Sequence, residues 1–133
     1  MRILLDTHIL LWVLSTPERL DTEVLAAIES PDNDVLFSAA SIWEIAIKAA
    51  LRRPDFPARP TIVIEEALDI GFTELPVRAG TACGVADLPL LHRDPFDRIP
   101  VAQAINEPAV LFTADAQLAP YSELVRPVGR SAR

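Results

Sequence analysis

Apolar residues begin almost at the start of the chain, Ile3-Leu4-Leu5, and stop abruptly at Asp6. A short unbroken run of this kind predicts a strand buried on both faces, as at the centre of a parallel sheet. Residues 8–14 then fit a short helix that Ser15-Thr16-Pro17 ends. A second helix is predicted over 21–30, with Val24, Leu25 and Ile28 at helical spacing, and Pro31-Asp32-Asn33-Asp34 reads as a turn. Val35-Leu36-Phe37 predicts a second buried strand, followed by a helix over 42–53. Arg53 to Pro60 carries three prolines and reads as an extended connector. Beyond it the pattern predicts a helix over 61–70, a strand over 72–75 and a helix over 77–85 that Gly80 and Gly84 weaken. Asp94-Pro95 opens a helix to about Ile105, Val110 to Thr113 forms a fourth strand, and Leu124 to Arg126 a fifth. Strands alternating with helices imply an α/β fold with a parallel sheet and right-handed crossovers.

The length, 133 residues, predicts a single domain over 1–133. The end, from about residue 127, is expected to fray, because Gly129 to Arg133 offers no apolar anchor. Half the residues are apolar, enough for a packed core. The lone cysteine, Cys83, cannot form an internal disulfide, and no Cys/His spacing suits zinc, so a reducing, cytoplasmic setting is expected. No apolar run is long enough to cross a membrane, and Asp6 and His8 interrupt the stretch that a secretory signal would need.

Net charge is −7, which argues against a broad basic surface gripping nucleic acid. A polyanionic substrate would have to be met locally, by cations or by a few of the 11 arginines; the only lysine is Lys48.

Against this background certain acids stand out. Asp6 is the only formally charged side chain between Arg2 and Glu18, and Glu44 the only one from Val35 to Ile47. Carboxylates beside so much apolar surface are costly unless paired, hydrogen-bonded or bound to a metal. Each also has a purely structural reading. Asp6 or Thr7 can cap the next helix, Ser41-Ile42-Trp43-Glu44 matches a capping box, and Asp94 before Pro95 is a good N-cap. Asp97 suits the positive first turn of that helix, and Asp115 can close the turn after the fourth strand.

Their placement together says more. Strand ends and the starts of the following helices share one edge of a parallel sheet, where such folds bind ligands. Asp6, Glu44, Asp97 and Asp115 all fall on that edge. Four like charges in one crevice repel unless a cation is shared among them. An all-oxygen set selects a hard ion, Mg2+ or Mn2+, and suits metal-assisted phosphodiester hydrolysis. Thr7 and Thr113 are placed to hold these carboxylates. Arg93 and Arg98 are candidates for substrate phosphates, and His8 and His92 for proton transfer; Lys48 fits an ordinary helix pair with Glu44, and Trp12 and Trp43 read as core.

Leu5-Asp6-Thr7-His8, Ser41 to Lys48, His92 to Arg98 with Ala102-Gln103-Ala104, and Thr113-Ala114-Asp115, in this order over residues 2–126, resemble the PIN-domain family, above all the VapC-type toxin ribonucleases of bacterial toxin-antitoxin pairs. The resemblance implies a three-layer α/β/α sandwich around a parallel sheet of about five strands and a Mg2+- or Mn2+-dependent endoribonuclease. It also implies a homodimer held by a small antitoxin. By position Asp6, Glu44, Asp97 and Asp115 match the family's acidic set, while Asp94 belongs to the surrounding block. Pro100 departs from the pattern and is expected to kink its helix. Two other readings use the same edge: a phosphoacceptor signalling domain, and a catalytically inactive PIN-like binding protein.

Overall fold

Strand β1, Arg2–Leu5, lies at the centre of a five-stranded sheet. In this computed structural model, which describes residues 1–51, 58–91 and 93–129, β1 pairs in parallel with β2 (Asp34–Ser38) on one side and β4 (Val110–Thr113) on the other. The outer strands β3 (Thr73–Leu75) and β5 (Val125–Pro127) complete the order β3-β2-β1-β4-β5, parallel throughout. The chain moves outward from β1 to β3 and then returns to β4 on the opposite side of β1. That reversal opens a crevice beyond the carboxyl ends of β1 and β4.

Helices cover both faces. Alternate residues of β1 point to opposite sides, so Ile3 and Leu5 join a core with Ile9 and Leu10 of α1 (Thr7–Ser15), Ile28 of α2 (Thr22–Glu29), Ile45 of α3 (Ala39–Ala50) and Val63 of α4 (Pro60–Asp69). Leu4 joins a second core with Leu36, Leu111, and Val101 and Ala104 of α6 (Pro95–Asn106). The result is the three-layer sandwich expected from the sequence. A short helix α5 (Ala79–Gly84) and 3-10 turns at Pro17–Arg19, Val85–Asp87 and Ala116–Tyr121 fill the connections. At the end of α4, Gly71 adopts φ +96°. Its N–H donates to Leu68 O and that of Phe72 to Ala67 O, a left-handed closure that glycine permits without strain. Among the described residues no helix is long and apolar enough to cross a membrane.

Several boundaries differ from expectation. Helix α3 starts at Ala39, not Ile42, because Ser38 at the end of β2 caps it by accepting from Ala40 N at 3.0 Å. Ser41 therefore lies inside the helix, and the Ser41–Glu44 capping box does not form. Fraying does not begin at 127: Pro127 ends β5, and buried Val128 donates to Thr113 O. Residues 130–133, residues 52–57 with most of the expected connector, and His92 lie outside the described residues. Helix α6 continues through Pro100, which is buried, from Pro95 to Asn106.

Candidate active site

Asp6 serves two structures at once. As N-cap of α1 its Oδ1 accepts from Ile9 N at 2.9 Å. Its Oδ2 accepts from Thr113 Oγ1 at 2.6 Å and from Ala114 N at 3.0 Å, across to the end of β4. The cap and the cleft-facing readings are thus compatible. Burial pushes the Asp6 carboxyl above its ordinary pKa, against the opposing effect of the bonds from Thr113, Ile9 and Ala114 and of nearby His8. A carboxylate so placed gains from a cation.

Thr113, wholly buried, links two acids, because its hydroxyl also accepts from Asp115 N at 3.1 Å. Asp115 in turn accepts from Gln117 N at 2.9 Å, closing the turn after β4. In α6, Asp94 is the N-cap, accepting from Phe96 N at 2.9 Å, and Asp97 stands in the first turn. The structure brings Asp6, Asp97 and Asp115 to one cleft of about 290 Å³, walled also by His8, Trp12 and Ala114. Exposed Asp94 is not part of its wall.

Glu44 lies apart from that wall. It is buried, accepts from Thr7 Oγ1 at 2.6 Å and from Lys48 Nζ at 2.8 Å, and so spends its charge within the protein. Thr7 Oγ1 also lies 2.9 Å from Ser41 Oγ. The earlier start of α3 makes this possible, since it places Ser41 and Glu44 one turn apart on the face toward α1.

Arg98 does not face the cleft as a phosphate ligand would. Its Nη2 donates to Val85 O at 3.1 Å and Leu88 O at 3.2 Å, tying the turn after α5 to α6. The buried Nε has no hydrogen-bond partner among the described residues. Trp12 walls the cleft as well as packing in the core. Nothing in its helical, apolar setting signals this. Trp43 is 57% exposed rather than buried, its ring edge-on to Phe96 with centroids 5.2 Å apart.

The donor set is chemically suited to a hard cation: three carboxylates, one of them made costly by burial. Among the described residues, however, no three His, Cys, Asp or Glu side chains are close enough to form a metal cage by themselves. Mg2+ retains several waters and needs only one or two carboxylates beside substrate phosphate, so a shared cleft meets its demand where a cage is lacking.

With this geometry in hand, comparison with known proteins is informative. Residues 3–124 match the family model of the PIN domain. The crystal structure of VapBC2 from Rickettsia felis, bound to a DNA fragment from its promoter, contains a chain of similar fold. It is 14% identical, with a TM-score of 0.69, over 96% of this chain and 99% of that one. FitAcB from Neisseria gonorrhoeae aligns at 23% identity and a TM-score of 0.53, over 87% of this chain and 89% of that one. No curated protein matches in sequence.

Proposed function

The chain belongs to the PIN-domain family, and from that premise we propose that it is a Mg2+- or Mn2+-dependent endoribonuclease, the toxin of a cytoplasmic toxin-antitoxin pair. The observation that carries the reading is the meeting of Asp6, Asp97 and Asp115 in one cleft at the point where the strand order reverses. The likeness in fold to chains of the VapBC2 and FitAcB structures supports the toxin assignment and a small antitoxin as partner. A homodimer is proposed on the family resemblance.

Of Asp6, Asp97 and Asp115, one or two would hold the ion directly and the rest through its waters. When bound, it supplies an activated water and neutralises charge developing on the phosphate. Thr113 and the Ile9 and Ala114 amides hold the Asp6 carboxylate in a fixed orientation. Glu44, pinned by Thr7 and Lys48, is off the cleft wall; Thr7 follows Asp6 directly, so Glu44 acts as a brace on α1 or as an acid that Lys48 releases when substrate binds. Both roles predict loss of activity in Glu44→Gln.

The phosphoacceptor reading is disfavoured, since it wants an acidic pair after β1 and a lysine after a late strand. Here Thr7-His8 follows Asp6, and Lys48 is committed to Glu44 on α3. The test of the nuclease is direct. Purified protein should cut single-stranded RNA with Mg2+ or Mn2+, stop in chelator, and lose at least ~100-fold in rate in Asp6→Asn, Asp97→Asn or Asp115→Asn. Cleavage that persists in chelator would rule out the metal mechanism. Absence of cleavage with every divalent ion, by folded protein, would favour the inactive binding protein.

A further inference from the structure

Larger than the acidic cleft is a groove of about 740 Å³ on the other side of His8 and Trp12. Those two side chains wall both openings. Helix α1 thus separates an acidic chamber from a second one whose charged and aromatic wall differs in sign. Among the described residues the second is lined by His8, Trp12, Arg19, Arg59 and Lys48, the last paired with Glu44, against a single acid in the lining, Glu66, over an apolar floor. On a chain of net charge −7 this is a local reversal. Its volume lies in the range that holds a nucleotide-sized ligand.

The groove also carries a stacking surface, made by the exposed His8 ring and the exposed Arg19 guanidinium, both backed by Trp12, which is itself only 7% exposed. The Arg19 guanidinium carbon lies 5.7 Å from the centroid of the Trp12 ring, and the exposed His8 ring sits 6.2 Å from the same ring, tilted by 57°. Bases of single strands are commonly held on aromatic and guanidinium planes, with their phosphates in a basic groove. Arg59 stands at the N-terminus of α4 with no capping bond from its side chain, and lines the groove as Arg19 does.

We propose that this groove is the substrate-specificity subsite of the nuclease. A single-stranded RNA cut in the acidic cleft continues past His8 into the groove, where a neighbouring base rests on the exposed His8 ring and the Arg19 guanidinium, which Trp12 supports from beneath. Arg19 and Arg59 neutralise the phosphates on either side of that base. The inference deepens the nuclease reading and rests on it. It explains how an acidic protein retains a polyanion: cation in one chamber, arginines in the next. The basic wall favours RNA over a segment rich in Arg or Lys as the occupant.

Binding and cleavage must be read separately. Binding is measured in chelator, by the anisotropy of a fluorescein-labelled single-stranded RNA of mixed sequence, about ten nucleotides long, over a range of salt. Arg19→Gln/Arg59→Gln should weaken binding and reduce the slope of log affinity against log salt by about 1.4. Arg78→Gln/Arg126→Gln, exposed arginines elsewhere, should leave both unchanged. With Mg2+ or Mn2+, the groove variant should raise KM for the long RNA while keeping kcat, and cut oligonucleotides too short to reach the groove as the parent does. An unchanged affinity and salt slope in the groove variant, with cleavage intact in the parent, overturns the subsite and spares the nuclease. Equal loss in the control pair overturns it too, since general charge would then suffice. Should the variant instead lose a co-purifying protein partner while binding RNA normally, the groove belongs to that partner. A parent that neither binds nor cuts any RNA defeats both readings.

Discussion

Asp6 concentrates the conflict between stability and function in one side chain. Burial raises its pKa above the ordinary 3.8, so the native state keeps this proton to a higher pH than the unfolded chain does. Folding is then favoured by protonation: as pH falls from neutral through the raised native value towards 3.8, Asp6 adds stability, and below 3.8 the gain is complete. Metal-free protein should therefore gain thermal stability relative to Asp6→Asn on acidification across that window, because contributions remote from Asp6 cancel in the difference. A constant or shrinking difference would show that the carboxyl is not raised. Thr113→Val tests the neighbouring contact. Removing the hydroxyl that donates to Asp6 and accepts from Asp115 N should cost about 1–3 kcal/mol, seen in denaturant melts. Thr113→Ser should recover most of it. Both threonine contacts were legible as a chemical possibility from Asp6-Thr7 and Thr113-Ala114-Asp115. Which acid each serves was not, for Thr7 reaches past its neighbour to Glu44 on another helix.

The elements were legible wherever a local rule had no competitor. Strands β1, β2 and β4 read correctly because continuous apolar runs ended at polar residues, and Asp94-Pro95 because cap and first-turn proline agree. Helix α3 read less well. Ser38 and Ser41 are both competent caps, and only the pairing of β2 with β1 and β3, which holds Ser38 at the strand's end, decides between them. That choice moves Ser41 and Glu44 into the helix body and joins them to α1. The hold on Arg98 was hidden for a similar reason: its partners are backbone carbonyls of Val85 and Leu88, contacts that carry no side-chain signature. Asp94 can be tested at this scale. Asp94→Ala should lower stability by about 0.5–2 kcal/mol, with Asp94→Ser restoring most of it and retaining cleavage. Asp97→Asn should leave the melt nearly unchanged and remove metal binding in calorimetry. If Asp94→Ser loses the ion and Asp97→Asn keeps it, ligand and cap are exchanged.

At the scale of the molecule, an excess of negative charge and a cleft of three aspartates determine what could silence the proposed nuclease. A partner that offers Arg or Lys to the cleft would gain twice, by relieving repulsion among Asp6, Asp97 and Asp115 and by displacing the cation that the proposed mechanism needs. Such a segment must also be held by apolar contacts, since exposed charge pairs alone are worth little in salt. Expression of the chain alone should therefore slow bacterial growth, and Asp97→Asn should abolish the effect at equal soluble yield. Co-expression with a small neighbouring protein carrying a basic, apolar tail should restore growth. The purified complex should cut RNA only after that tail is removed, and changing the tail's Arg or Lys to Glu should release the activity without proteolysis. Normal growth despite abundant, folded, RNA-cutting protein would set aside the toxin role while leaving the nuclease in place. Inhibition that survives the charge reversal would show that the partner covers the cleft by its apolar contacts and needs no cation surrogate.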